Sequence, residues 1–189
     1  MAAGSSGRFG NGINKLTVPV NGRPLFEYAL NAVPKDRLHK ILVVTQPGVT
    51  EQLADSLGFS CIHNNRPEDG ISRTIRLGTK ALSGECSAIL YMVSDQPLLS
   101  RKSVAGLIDL YLEHPDRIVS ASSAGKRGNP CIFPERFFPA LMSLTGDTGG
   151  SAVIRDHPED LLLFDIPEEE LLDTDTPEAL DRIRASLLP

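Results

Sequence analysis

Cysteine is scarce in this 189-residue sequence: Cys61, Cys86 and Cys131 are widely spaced, with no C-x-x-C among them. An odd, scattered set supports neither a disulfide framework nor a zinc site, and it suits a reducing cytoplasm. No apolar run reaches membrane-spanning length and no basic-then-apolar leader opens the chain, so no membrane role is expected. The histidines, His39, His63, His114 and His157, form no H-E-x-x-H or other paired spacing and read as ordinary side chains. No G-x-S-x-G elbow is present and no cysteine sits in a nucleophile signature, so covalent catalysis has little support. The net charge of −5 lacks the basic surface that nonspecific nucleic-acid binding requires.

What is present is ordinary in bulk and uneven in detail. Hydrophobic residues make up 41% and charged residues 23%, as in a globular chain able to bury one core, and residues 1–189 read as a single domain. Arg8, Lys15, Arg23, Arg73, Arg76, Lys126 and Arg127 lie in or beside Gly-rich or polar stretches, while acids crowd the tail in "PEEELLDTDTPEALD". Basic loops on an acidic protein fit either a solvated surface or a small anionic ligand.

Apolar segments of two periods alternate along the chain. "KILVVTQ", "SCIHN", "SAILYMVS", "RIVSAS", "CIFP" and "DLLLFDI" read as short strands. "PLFEYALNAV", starting at Pro24, and "TEQLADSLG", capped by Thr50 and closed by Gly58, read as helices. So do "GISRTIRLGTKAL", "SRKSVAGLIDLYLEH", "PERFFPALMSL", "GGSAVIRD" and "TPEALDRIRASLL". This order predicts an α/β domain with a mostly parallel sheet, whose ligands bind beyond the carboxyl ends of the strands.

Several loops therefore matter. Gly4, Gly7, Gly10 and Gly12 punctuate the first one, which is neither a Walker A loop nor a G-x-G-x-x-G turn; its backbone can form an anion nest or a floppy terminus. In "YMVSDQPLL", Asp95 ends an apolar strand, where one carboxylate suits Mg²⁺ or merely a turn. Asp173 and Asp175 in "LLDTDTPEAL" either assist a metal or favour the start of a helix capped by Thr176. "GKRGNP" and "TGDTGGSA" are further polar loops, the second opening a helix.

Taken in order, "AAGSSGRFGNGINKL", "SDQPL", "RGNP", "TGDTGG" and "LLDTDTPEAL" resemble the MobA-like nucleotidyltransferases, nearest their molybdenum cofactor cytidylyltransferase branch. The resemblance runs nearly end to end and implies a Rossmann-like three-layer nucleotidyltransferase fold. That family has an apolar strand ahead of A-A-G, where this sequence has Met1. By resemblance, Ala3, Gly4, Ser5, Gly7 and Gly10 surround a nucleoside triphosphate, with Arg8 and Lys15 clamping its phosphates. Gly70, Ser72 and Arg73 lie by its base or ribose. Asp95 holds Mg²⁺, assisted by Asp175 or Asp173, so that Arg8, Lys15 and Asp95 form the catalytic set. Arg127, Gly128, Asn129, Pro130, Asp147 and Gly149 line the acceptor side. The implied reaction moves CMP from CTP to a molybdopterin-type cofactor, releasing pyrophosphate, with a molybdenum hydroxylase or its chaperone as partner and no nucleic acid or membrane involved. Two other readings stand beside it: transfer to another phosphorylated acceptor, and a non-catalytic nucleotide-binding accessory protein.

Overall fold

The computed structural model describes Met1 and residues 15–187. A short hairpin, β1 (Pro19–Val20) and β2 (Arg23–Pro24), leads into α1 (Leu25–Asn31), then β3 (Leu42–Thr45), α2 (Val49–Ser56), β4 (Ser60–His63) and α3 (Ile71–Leu82). β5 (Ala88–Tyr91), α4 (Arg101–Glu113), β6 (Ile118–Ser123) and β7 (Lys126–Pro134) follow. The chain closes through α5 (Phe138–Met142), α6 (Gly150–Asp156), β8 (Leu161–Asp165) and α7 (Pro177–Ser186). No described helix is long and apolar enough to cross a membrane.

Strand β3 pairs in parallel with β4, and a four-stranded sheet runs in the order β5-β7-β6-β8. β6 and β8 are parallel, but β7 is antiparallel to both of its neighbours. The Rossmann-like α/β fold thus holds, with a mixed sheet. The reason is local: β6 and β7 are joined through Ala124 and Gly125 alone, both at positive φ (48° and 76°). Two such residues make the tight turn of a hairpin, and a hairpin can only be antiparallel.

Alternation along the strands divides the core into layers. Ile89 and Tyr91 of β5, Ile118 of β6, and Cys131 and Phe133 of β7 face Ile75 of α3, Leu141 of α5 and Val153 of α6. Leu90, Val119, Ala121 and Ile132 face the other way, against Val104, Leu107, Ile108 and Tyr111 of α4. A third cluster packs Phe26 and Leu30 of α1 and Ala54 of α2 against Val43 and Leu16. Helix α7 buries Leu180 and Ile183 against Val20 and Leu25.

Caps follow the sequence in two places and depart from it in one. Ser100 and Thr176 accept from the backbone N–H groups of Ser103 and Ala179, each at 3.1 Å, as good N-caps do. Thr50, expected as a cap, lies inside the first turn of α2, buried, with its hydroxyl 2.7 Å from that of Thr45. Gly48 takes the cap position instead, and its N–H donates to Glu51 at 3.3 Å.

"GKRGNP" also departs from expectation: Lys126–Pro134 is one nine-residue strand rather than a loop before a strand. Its ladder with β6 shifts register between Ser120, opposite Cys131, and Ser122, opposite Arg127. Gly128, Asn129 and Pro130 therefore bulge from the ladder, which is how a proline is tolerated within the sheet. The Asn129–Pro130 peptide is cis.

The edges of β3 and β5 that face each other carry no strand pairing among the described residues. They bound a cavity of about 510 Å³ lined by Val43, Val44, Ile89, Leu90, Tyr91 and Met1. The Met1 amine donates to the Met92 carbonyl at 2.7 Å, and the Met1 carbonyl accepts from the Ser94 hydroxyl at 2.8 Å.

Candidate active site

Three distant segments converge just beyond the carboxyl end of β5. Lys15 sits in a single 3-10 turn, Lys15–Thr17, anchored by buried Leu16. Asp95 lies four residues after Tyr91, and Asp175 precedes the cap of α7. The Lys15 ammonium donates to Asp95 Oδ2 at 2.8 Å and to Asp175 Oδ1 at 2.6 Å. Burial alone would lower the Lys15 pKa. The hydrogen bonds and charges of Asp175 and Asp95 outweigh it and hold the group above its ordinary value.

Backbone bonds lock the two acidic segments together. The Thr174 N–H donates to the Asp95 carbonyl at 3.1 Å, and Gln96 Nε2 donates to the Leu171 carbonyl at 3.1 Å. The Ser100 N–H donates to the buried Glu170 carboxylate at 2.9 Å. Asp173 has a different job: its Oδ1 accepts from the Asp175 N–H at 3.4 Å, shaping the turn. Of the expected metal residues, the structure thus brings Asp95 and Asp175 onto one cation and gives Asp173 a local backbone role. Gln96 and Thr174, both buried, were missed by sequence reasoning as residues that hold this site. The only available signal was their adjacency to the acids.

The α3 start and the 146–149 segment form a second locus. Gly70 precedes α3 at φ 83°, and a methyl group there would lie 2.3 Å from the Gly146 carbonyl oxygen. The same carbonyl accepts from the Ser72 N–H at 3.2 Å. Ser72 is fully buried and its hydroxyl has no hydrogen-bond partner among the described residues. Arg73 donates through Nε to Asn64 Oδ1 at 2.9 Å and lies 3.4 Å from Asp69. Asn64 in turn donates to Thr74 at 3.1 Å, so Arg73 belongs to a polar knot at the end of β4.

Arg127, Gly128, Asn129 and Gly149 line one cavity of about 290 Å³, with Ile71, Tyr91, Phe133 and Met1 also in its walls. Pro130 is buried behind the bulge, and Asp147 is exposed on the loop before α6. The cavity opens beside Tyr91 and Val93, a few residues short of Asp95 along the same strand end. Ala3, Gly4, Ser5, Gly7, Arg8 and Gly10 lie outside the described residues. Two of the histidines have structural partners: His63 meets Glu51 at 2.5 Å, and His157 packs edge-on to Phe137 with centroids 5.1 Å apart.

Strand-end carboxylates, a bridging lysine and a neighbouring cavity suit binding of an anionic ligand with a cation, and the match to known proteins narrows the choice. The description "MobA-like NTP transferase domain" matches residues 1–161. The chain belongs to that family. It is 28% identical to the purine catabolism protein PucB of Bacillus subtilis (strain 168), over 99% of this chain and 95% of that one. Its fold is similar to that of a nucleotidyl transferase from Methanothermobacter thermautotrophicus, with a TM-score of 0.81 at 19% identity over 98% and 94% of the two chains. It is similar also to Rv0371c of Mycobacterium tuberculosis H37Rv, solved as a manganese complex, with a TM-score of 0.76 at 18% identity over 98% and 96%. The chain is a nucleotidyltransferase by family and fold.

Proposed function

We propose that this nucleotidyltransferase transfers CMP from CTP to the terminal phosphate of a molybdopterin-type cofactor and releases pyrophosphate. The convergence of Lys15, Asp95 and Asp175 beyond β5 carries the catalytic part of this reading. The acceptor part rests on the cavity under Arg127 and Asn129. A purine catabolism protein among the relatives supports the molybdenum connection, since hydroxylation of purine rings is chemistry suited to molybdenum hydroxylases. Such a hydroxylase, or its chaperone, is the proposed recipient of the product. The described cysteines are all free, which supports a cytoplasmic setting.

In the reaction, an oxygen of the acceptor's phosphate attacks the α-phosphorus of CTP. A new phosphoanhydride bond forms as the bond to the pyrophosphate leaving group breaks. Lys15 carries a secure positive charge and, with Arg8, opposes the charge that accumulates on the departing pyrophosphate. Arg127, beside the β7 bulge, and Asn129 within it orient the acceptor, with Gly149 leaving the backbone approachable; Gly128 makes room for Leu171, whose side chain would lie 2.7 Å from a Cβ there. Gly70 and Ser72 shape the nucleotide side, and Arg73 keeps the end of β4 in place for the base. Much of the rate then comes from positioning two anions that would otherwise repel.

Asp95 and Asp175 fit a hard divalent cation, because both offer an oxygen within 2.8 Å of one cationic nitrogen. Mg²⁺ held there would neutralise phosphate charge. Ala3, where a second glycine marks the guanylyl branch of the family it resembles, supports CTP over GTP, since an added methyl group would disfavour the larger purine. A difference that small is worth only about 1–3 kcal/mol.

The test is incubation of the protein with each NTP, Mg²⁺ and isolated molybdopterin cofactor, with products read by mass. The cytosine dinucleotide and pyrophosphate are expected. Turnover only with a different phosphorylated acceptor would transfer the activity to that substrate, and nucleotide binding without turnover would leave an accessory protein.

A further inference from the structure

The Lys15 ammonium occupies the point on which Asp95 and Asp175 converge, 2.8 Å and 2.6 Å from their oxygens. A Mg²⁺ ion binds carboxylate oxygens at about 2.0–2.1 Å, so an ion held by these same two oxygens would be forced against the ammonium. The two like charges would repel at that range, so the pair holds one cation at the expense of the other. Lys15 is well suited to leave. Its backbone is fixed by Leu16, buried against Phe26 and Leu30, while its long side chain is only partly enclosed. The ammonium can swing without any refolding of the turn.

We propose that Lys15 is an internal counter-cation that keeps the two-carboxylate site closed to divalent metal until a triphosphate draws its ammonium away. This rests on the reading of Asp95 and Asp175 as the metal ligands. Without nucleotide, an incoming ion must compete with an ammonium already bonded to both carboxylates. With a triphosphate present, the ammonium gains a new anionic partner and the carboxylates are released to the ion. Metal and triphosphate therefore strengthen each other's binding, and thermodynamic linkage requires the factor to be the same in both directions.

Mn²⁺ titrations of the full chain, followed by electron paramagnetic resonance without nucleotide, test the proposal. Lys15→Met, which keeps the length and removes the charge, should bind Mn²⁺ at least about 10-fold more tightly than the wild type, an effect of about 1.4 kcal/mol. Lys15→Arg should bind it as weakly as the wild type, and adding Asp175→Asn to Lys15→Met should remove the gain. Inorganic triphosphate should tighten Mn²⁺ binding in the wild type by a larger factor than in Lys15→Met, after correction for the ion that triphosphate holds alone. Equal or weaker Mn²⁺ binding by a folded Lys15→Met overturns the proposal while leaving the carboxylate site standing. Absence of Mn²⁺ binding in every variant, with turnover intact in the wild type, overturns the metal-ligand reading and this proposal with it. If Lys15→Met does not fold, the wild type decides: no tightening by triphosphate overturns the idea.

Discussion

Strand β5 has one end tied down and, among the described residues, one edge without a strand partner. Beyond Tyr91 its chain is fastened to the segment before α7 through Asp95, Gln96 and Ser100, with Lys15 bridging the charges. Along its flank facing β3 there is no ladder among the described residues, and a cavity of about 510 Å³ lies there. The difference separates two kinds of order. Polar contacts between segments some 75–80 residues apart can assemble a site beside an edge where no ladder joins β3 and β5 among the described residues. Hydrophobic layering holds each part of the sheet to its helices, so the site does not depend on one unbroken ladder.

Removing the charge at the tied end should have the largest effect. Asp95→Asn is expected to lower kcat by about 10²–10³-fold, or roughly 2.7–4 kcal/mol, the loss typical of one preorganised electrostatic group. The circular dichroism spectrum should be unchanged, because the backbone bond from Thr174 to the Asp95 carbonyl remains. Near-normal Mg²⁺-dependent turnover would show that the tied end is structural rather than catalytic.

Filling the β3-facing edge is the opposite experiment. An apolar strand of about five residues joined ahead of Met1 would meet two edges that carry no pairing among the described residues, beside a cavity with apolar walls. It would also replace the Met1 amine, whose pKa burial lowers to about 6 from 8.0, with Asp95 partly opposing the shift. A base with a lowered folded-state pKa favours folding above its unfolded value and loses that contribution as pH falls. In the chain as it stands, stability should therefore drop by about 2–3 kcal/mol as pH falls from 8 through 6, at 1.36 kcal/mol per unit. Urea titrations at the two pH values should show that drop, and the extended chain should be more stable and lack this component. Identical pH profiles would mean that the edge is not receptive.

Gln96→Ala probes the tied end more gently. It leaves the Leu171 carbonyl without its donor and should cost about 1–3 kcal/mol in thermal or urea unfolding, while kcat falls less than in Asp95→Asn. The smallest expected effect is at high pH. The Lys15 pKa is raised in the folded state, so its contribution is complete below 10.5 and fades as pH climbs through the higher folded value. Unfolding curves of the wild type and Lys15→Met should draw closer above that pH. A constant gap would mean that the bridge contributes packing rather than charge.

Much of this contrast was legible in the sequence. The β-branched runs at Leu42–Thr45 and Ile118–Ser123 and the apolar run at Ala88–Tyr91 became strands because burial on both faces leaves them few alternatives. Asp95 and Asp175 could be singled out because carboxylates just beyond apolar runs stand out from their surroundings. Their meeting on Lys15 could not be read from spacing, since it depends on how three distant segments fold together. The polar Lys126–Pro130 stretch reads as a loop because glycine and proline usually interrupt ladders; the register shift in β7 absorbs them instead. Thr50 misleads for a similar reason: its hydroxyl is drawn to Thr45 across a strand-to-helix corner that local propensity does not contain.

The contact between Gly70 and Gly146 joins two distant segments into one wall. With no side chain between them, and the Ser72 N–H bonded to the same Gly146 carbonyl, the two backbones share a single partition. On one side the partition begins helix α3; on the other it continues into Gly149 and the cavity under Arg127. A shift of the α3 start must therefore carry the 146–149 segment with it, and the cavity wall at Gly149 moves as part of the same piece of backbone.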